Sequence, residues 1–301
     1  MDGGYAQANG GRGEANAATI VWVCGEPDGS AGGEGVLRAL GEEVARRGLS
    51  GNVQVSPGPN RGLGAAGVVV SIEPPGILYA GVTPADVSEI VEQTLIDGET
   101  IERLSYKEPA DIGLLPASKD IPFFSKQIWI ALQNCGLIDP EQIEDYVARD
   151  GYRALGKVLT EMSPEDVIKQ IKESGLRGRG GAGFSTGTKW ELCRRTSGTP
   201  KYVICNGDEG DPGAFMDRSI LESDPHAVLE GMAIAGYAMG ASQGYIYCRE
   251  EYPLAIARLQ HAIAEARERG LLGQRILGSN FSFEISLKGG AGAFEGDLEA
   301  E

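Results

Sequence analysis

The sequence predicts an α/β protein of two domains, a small one followed by a larger mixed α/β layer domain. Three observations predict it. The chain's 301 residues suffice for about two separate cores. Short β-branched runs alternate with stripes of apolar residues at helical spacing in both halves. Serine, threonine or aspartate followed by proline stands just ahead of several stripes, where helices begin.

Residues 1–17 are rich in Gly, Asn and Ala, lack the apolar centre of a signal peptide, and are expected to form a disordered tail. Thr19–Val23 reads as a strand, and Val36, Leu37, Leu40 and Val44 mark one helix face. Further short strands are expected at 52–55, 67–72 and 76–82, punctuated by Gly and Pro. Thr83-Pro84-Ala85-Asp86 starts a helix whose stripe is Val87, Ile90, Val91 and Leu95. These elements make a first domain over 18–100. Residues 101–126 are a connector, proline-bearing from Lys107 onward, and the second domain runs over 127–301.

In that second domain Gln127–Asn134 and Pro140–Val147 read as helices. Ser163-Pro164-Glu165-Asp166 opens another, running through Val167, Ile168 and Ile171 to Ser174. A strand at Tyr202–Cys205, a helix around Asp224–Met239 and a strand at Gly244–Cys248 follow. Pro253 opens a helix striped by Ile256, Leu259, Ile263 and Ala266. Phe281, Phe283, Ile285 and Leu287 alternate as a half-buried strand does.

The formal net charge of −16 argues against nucleic acid, whose phosphates require Lys and Arg. No apolar run approaches the ~20 residues that span a bilayer. Five cysteines (Cys24, Cys135, Cys193, Cys205 and Cys248) contain no C-x-x-C pair, so no zinc or iron–sulfur run is visible. Their odd number and wide spacing fit reduced thiols of a cytoplasmic protein, buried as small apolar side chains.

The 45 glycines concentrate interest on Gly175-Leu-Arg-Gly-Arg-Gly-Gly-Ala-Gly-Phe184. It contains G-x-G-x-x-G, but a helix rather than a strand precedes it, which removes the Rossmann reading. The spacing to Lys189 removes the P-loop reading. Consecutive glycines let backbone N–H groups converge on phosphate oxygens or lie against a flat ring. Arg177, Arg179 and Lys189 add positive charge to an acidic chain. After the next strand comes Asn206-Gly-Asp-Glu-Gly-Asp-Pro-Gly213, at the C-terminal strand end where α/β sheets bind ligands. Taken alone, this segment fits a ligand turn or an ordinary acidic surface turn.

The segments Ile121-Pro-Phe-Phe-Ser-Lys-Gln and Asn134-Cys-Gly-Leu-Ile-Asp-Pro, with the two glycine-bearing motifs above, resemble the flavoprotein subunit of respiratory complex I. They are more similar still to the NADH-oxidising subunits of soluble NAD-dependent hydrogenases and formate dehydrogenases. Asp217-Arg218, Glu222-Ser-Asp-Pro-His226, Tyr247-Cys-Arg-Glu-Glu-Tyr-Pro253 and Gly289-Gly-Ala-Gly-Ala-Phe294 extend the resemblance over about 115–294. It implies that FMN rests on Gly178, Arg179, Gly180, Gly181 and Lys189. Asn206, Asp208, Glu209 and Phe294 complete the cofactor site, and Phe184, Glu209 and Asp211 face NADH. The function implied is hydride exchange between NAD(H) and FMN, with electrons passing to iron–sulfur partner subunits of a larger complex. Positioning supplies much of such catalysis, so neither His226 nor His261 is assigned a catalytic role. His226 reads as a helix-start residue and His261 as part of a solvated face.

The resemblance also implies a thioredoxin-like first domain, which in hydrogenase-type relatives holds a [2Fe–2S] cluster on four cysteines. Here Cys24 stands at the first position, Gly29 or a neighbour at the second, and Asn60 and Gly64 near the last two. A degenerate ferredoxin without a cluster is therefore expected, with clusters on partner chains. Family members follow Gly-Ala-Gly-aromatic with Cys-Gly-Glu-Glu; this chain reads Phe294-Glu-Gly-Asp-Leu-Glu299. The alternative is a non-catalytic scaffold that keeps the family fold inside a redox complex.

Overall fold

The computed structural model describes residues 19–25, 32–58, 66–106, 126–211 and 214–290. The expected tail, Gly29, Asn60, Gly64, most of the connector, Pro212, Gly213 and Phe294 lie outside the described residues. The described residues form two compact units that divide between Lys126 and Gln127, with Gly58 assigned to the second.

The first unit is built on a four-stranded sheet of β1 (Thr19–Cys24), β2 (Val53–Pro57), β3 (Val69–Glu73) and β4 (Ile77–Tyr79), in the order β2-β1-β3-β4. β1 and β2 are parallel, joined by helix α1 (Gly32–Arg46), whereas β3 and β4 are antiparallel to their neighbours. This is the thioredoxin arrangement. The stripe Val36, Leu40 and Val44 is buried against Val21, Val70 and Ile72. Helix α2 starts as a 3-10 turn (Pro84–Asp86), passes through Val87–Glu89 and widens to a π segment (Ile90–Ile96). Its entry is fixed by Asp86, whose Oδ2 accepts from the Thr83 N–H at 2.8 Å. The Tyr79 hydroxyl lies 2.6 Å from Thr94 Oγ1 and accepts the Ile101 N–H at 3.0 Å, tying sheet, helix and the chain beyond into one core.

The second unit holds a parallel three-stranded sheet, β5 (Tyr202–Gly207), β6 (Gln243–Arg249) and β7 (Glu284–Gly290), in sequential order. Its helices are α3 (Ile143–Ala148), α4 (Arg153–Glu161), α5 (Pro164–Glu173), α6 (Thr186–Arg195), α7 (Met216–Ser223), α8 (Pro225–Met239) and α9 (Pro253–Glu268). Val203, Ile246 and Ile285 enter one core with Leu229, Leu259 and Phe283.

Four expectations are corrected. Gln127–Asn134 forms no helix, being irregular through Ile130 and a turn from 131 to 134, with Ile128 and Ile130 exposed. Asn134 is pinned instead, donating to Asp224 Oδ2 at 2.7 Å and accepting from Arg149 Nε at 2.8 Å, so tertiary anchoring overrides helix propensity. The helix expected at Pro140 begins at Ile143, because Asp139 Oδ1 accepts the Glu141 N–H at 2.9 Å and forms a turn first. The last strand begins at Glu284, since Phe283 pairs with Gly273 rather than with β6. The sequence reading places no helix at α4, α6 or α7, all of which form.

Candidate functional site

The glycine-rich loop joins α5 to α6. Ser163 caps α5 by accepting the Asp166 N–H at 3.2 Å, and Gly175, with φ of +71°, ends the turn that follows it. The loop is closed at its base by two backbone bonds: Gly178 N–H to Phe184 O at 2.9 Å, and Thr186 N–H to Leu176 O at 3.0 Å. Arg177 Nε donates to Gly183 O at 2.6 Å, committing that side chain to the loop itself. Arg179 and Lys189 remain exposed, as are Gly178, Gly180 and Gly181.

Gly181 has φ of +98° and Gly183 of +60°, conformations that favour glycine. Among the described residues a Cβ on Gly180 or Gly181 would meet nothing within 4 Å, so their packing does not account for glycine at Gly180. Open backbone of this kind suits a phosphate or the face of a ring. The loop leads into the N-terminus of α6, where Ser185 accepts the Thr188 N–H at 3.3 Å. A helix therefore does open on the loop, and Ser185 was the signal for it. Phe184 is half exposed at the loop's closing end.

The second segment leaves the C-terminal end of β5. Asn206 Oδ1 accepts the Asp208 N–H at 3.1 Å and turns the chain. Glu209 reaches the start of α7: its Oε1 accepts from Asp217 N–H and its Oε2 from Arg218 N–H, both at 3.2 Å. The same Oε2 accepts from the Tyr252 hydroxyl at 3.3 Å. Asp208 Oδ1 is buried, accepts no hydrogen bond from the described residues, and lies 3.7 Å from Arg249 Nε. Asp211 is exposed. Burial, then the nearby Glu209 charge, raises the Asp217 carboxyl above its ordinary value.

Sequence reasoning passes over Arg249 and Tyr252. Arg249 Nη1 donates to Glu209 O at 2.5 Å, and the guanidinium groups of Arg218 and Arg249 lie over the Tyr252 ring, 5.3 and 5.7 Å from its centre. Their signal is the segment Tyr247–Pro253, to which the sequence alone assigns no role. His226 is buried at the start of α8, and His261 is half exposed on α9, as expected of both. Cys24, Cys135 and Cys248 are buried, Cys193 and Cys205 partly so. Burial pushes the Cys205 and Cys248 thiols up to about 11. Among the described residues no helix is long and apolar enough to cross a membrane, and no group of three or more metal-ligating side chains occurs.

Residues 171–296 match the family described as the Nuo51 FMN-binding domain. The NADP-reducing hydrogenase subunit HndC of Solidesulfovibrio fructosivorans is 60% identical over 169 residues, 56% of this chain and 34% of that protein. An NADH-quinone oxidoreductase subunit of Rhizobium meliloti (strain 1021) is 50% identical over 165 residues, 55% of this chain and 39% of that protein. A crystal structure of an NAD+-reducing [NiFe]-hydrogenase in the H2-reduced state aligns over 92% of this chain and 44% of that one, at 24% identity and a TM-score of 0.43. The chain spans a little over a third of the length of these two curated relatives. The resemblance carried by the motifs is the one the family match and these two relatives return.

Proposed function

We propose that this chain is an FMN-binding, NADH-oxidising module of a cytoplasmic multi-subunit redox complex. The observation that carries the reading is the glycine-rich loop, which lies inside the 171–296 match and where a Cβ on Gly180 would meet no atom of the described residues within 4 Å. FMN, when bound, supplies the hydride acceptor. Gly178, Gly180 and Gly181 offer backbone N–H groups, while Arg179, Lys189 and the N-terminus of α6 supply positive charge for its phosphate. Asn206, Asp208 and Glu209 offer acceptors for ribityl hydroxyls or ring N–H groups. Phe184 and Asp211, with Glu209, bind NADH, and Phe294 is a further cofactor-binding residue. The electron acceptors are iron–sulfur subunits of the complex, and this chain carries no cluster of its own.

FMN rather than FAD is expected, because the site offers one loop and one helix terminus for a single phosphate. The test is reconstitution with excess FMN, removal of free flavin, and chromatography of the flavin released by acid. FMN near one per chain is the expected result. Recovery of FAD from material purified without added flavin, or of no flavin after reconstitution, would overturn it. The scaffold reading is favoured by the residues at the expected cluster positions, where Cys24 is matched by Asn60 and Gly64. A protein that folds but retains no flavin would favour that reading instead.

A further inference from the structure

The turn that follows β5 concentrates three acids, Asp208, Glu209 and Asp211, and must hold them in place before any ligand arrives. Carboxylates so close repel one another, and a buried one needs a counter-charge. Asp208 Oδ1 is buried with no hydrogen bond among the described residues, and its side chain keeps only 13% exposure. The charge that faces it belongs to Arg249 at the C-terminal end of β6. That guanidinium works in two directions. Its Nη1 fixes the backbone at Glu209 O, 2.5 Å away, while its Nε stands 3.7 Å from Asp208 Oδ1. A planar fork presents separate, rigidly spaced donors to the two, whereas an ammonium offers a single point charge without that fixed geometry.

Arg249 is itself held. Its Nε also donates to Glu251 Oε2 at 3.4 Å, and its guanidinium lies 5.7 Å from the centre of the Tyr252 ring. The other guanidinium over that ring, Arg218, donates to the fully buried Glu222 at 2.7 Å. The Tyr252 hydroxyl returns to Glu209. A clamp thus runs from the core end of α7 through Tyr252 and Arg249 to the acidic turn.

We infer that Arg249 is a positioning residue for the flavin-facing turn: it sets the Asp208 carboxylate and the Glu209 backbone in the orientation that the isoalloxazine or ribityl end of the cofactor meets. This inference rests on the flavin reading above. Arg249 acts through Asp208, so losing either should have the same consequence, and losing both should add little. The phosphate end of the site is untouched by this clamp, so FMN and riboflavin should be affected alike.

The experiment is fluorescence titration of the full chain with FMN and with riboflavin, for wild type, Arg249→Met, Asp208→Asn, the double variant and Arg249→Lys. Each single variant is expected to weaken both flavins about tenfold, or ~1.4 kcal/mol. The double variant should weaken them no more than about twofold further, and Arg249→Lys should fall between wild type and Arg249→Met. Effects that multiply in the double variant, or an Arg249→Met protein that binds as wild type does, would overturn the inference alone. So would loss in Arg249→Met that appears only alongside loss of the folded circular-dichroism signal, with Arg249→Lys and Asp208→Asn both binding normally. Wild-type protein that binds neither flavin would remove the flavin reading and this inference together.

Discussion

Gly180 is the residue at which the flavin reading is most exposed to test. A Cβ there would meet no atom of the described residues within 4 Å, and its backbone is not in the left-handed region. Neighbouring Gly181, at φ of +98°, would be strained by any side chain, so a defect there mixes strain with ligand exclusion. Gly180→Val should therefore leave the melting temperature within a few degrees of wild type and weaken FMN by at least about tenfold. Unchanged affinity would place the cradle elsewhere. Glu209 shows what the sequence could not convey. Its place in an acidic turn suggested contact with cofactor and nicotinamide, but side-chain direction depends on an α7 start that no local pattern announced. In the structure both its oxygens accept bonds from α7 backbone, and Tyr252 reaches it from 43 residues away. The glycine loop was legible because glycine spacing is local; the clamp on the acidic turn was not, because it is built across strands.

At the scale of elements, α8 is fastened to α3 and α4 by one carboxylate. Buried Glu230 accepts from the Tyr146 hydroxyl at 2.6 Å and from the N–H groups of Tyr152 at 2.8 Å and Leu155 at 2.9 Å. Tyr152 has φ of +59°, a conformation a non-glycine residue holds only when its surroundings impose it. Glu230→Ala would leave three donors unpaired in the core and should cost about 3–5 kcal/mol in urea unfolding. A loss below ~1 kcal/mol would show that the network does not hold the helices together. Sequence periodicity found α1, α5, α8 and α9, whose starts carry proline or whose stripes repeat over three turns. It missed α4, α6 and α7, whose starts carry no proline. It placed a helix at Gln127–Asn134, where Asn134 is bonded to Asp224, 90 residues away in sequence. Long-range polar anchors of that kind leave no periodic trace.

At the scale of the whole molecule, pH dependence follows from one buried imidazole. Burial, reinforced by the charges of His261 and Arg269, lowers His226 from its ordinary 6.5 to about 4. Tyr152 faces its Nδ1 at 2.8 Å, and Glu265 lies 3.5 Å from its Nε2. The folded protein keeps His226 neutral where the unfolded chain binds a proton, so stability falls as pH drops from about 6.5 to about 4. The effect is on the order of 3 kcal/mol. Glu265, raised by burial, opposes it, because protonation of that carboxyl is easier in the folded state. His226→Gln should flatten the decline of unfolding free energy across that interval. An equally steep decline in the variant would assign it to other groups.

The central claim, that bound FMN accepts hydride from NADH on this chain, is tested most directly by anaerobic stopped-flow mixing of FMN-loaded protein with NADH while the flavin's visible absorbance is followed. The account predicts bleaching that saturates with NADH concentration and outpaces free FMN by at least about a hundredfold, as positioning of two reactants allows. Bleaching no faster than that of free FMN, in protein that demonstrably retains the flavin, would contradict it.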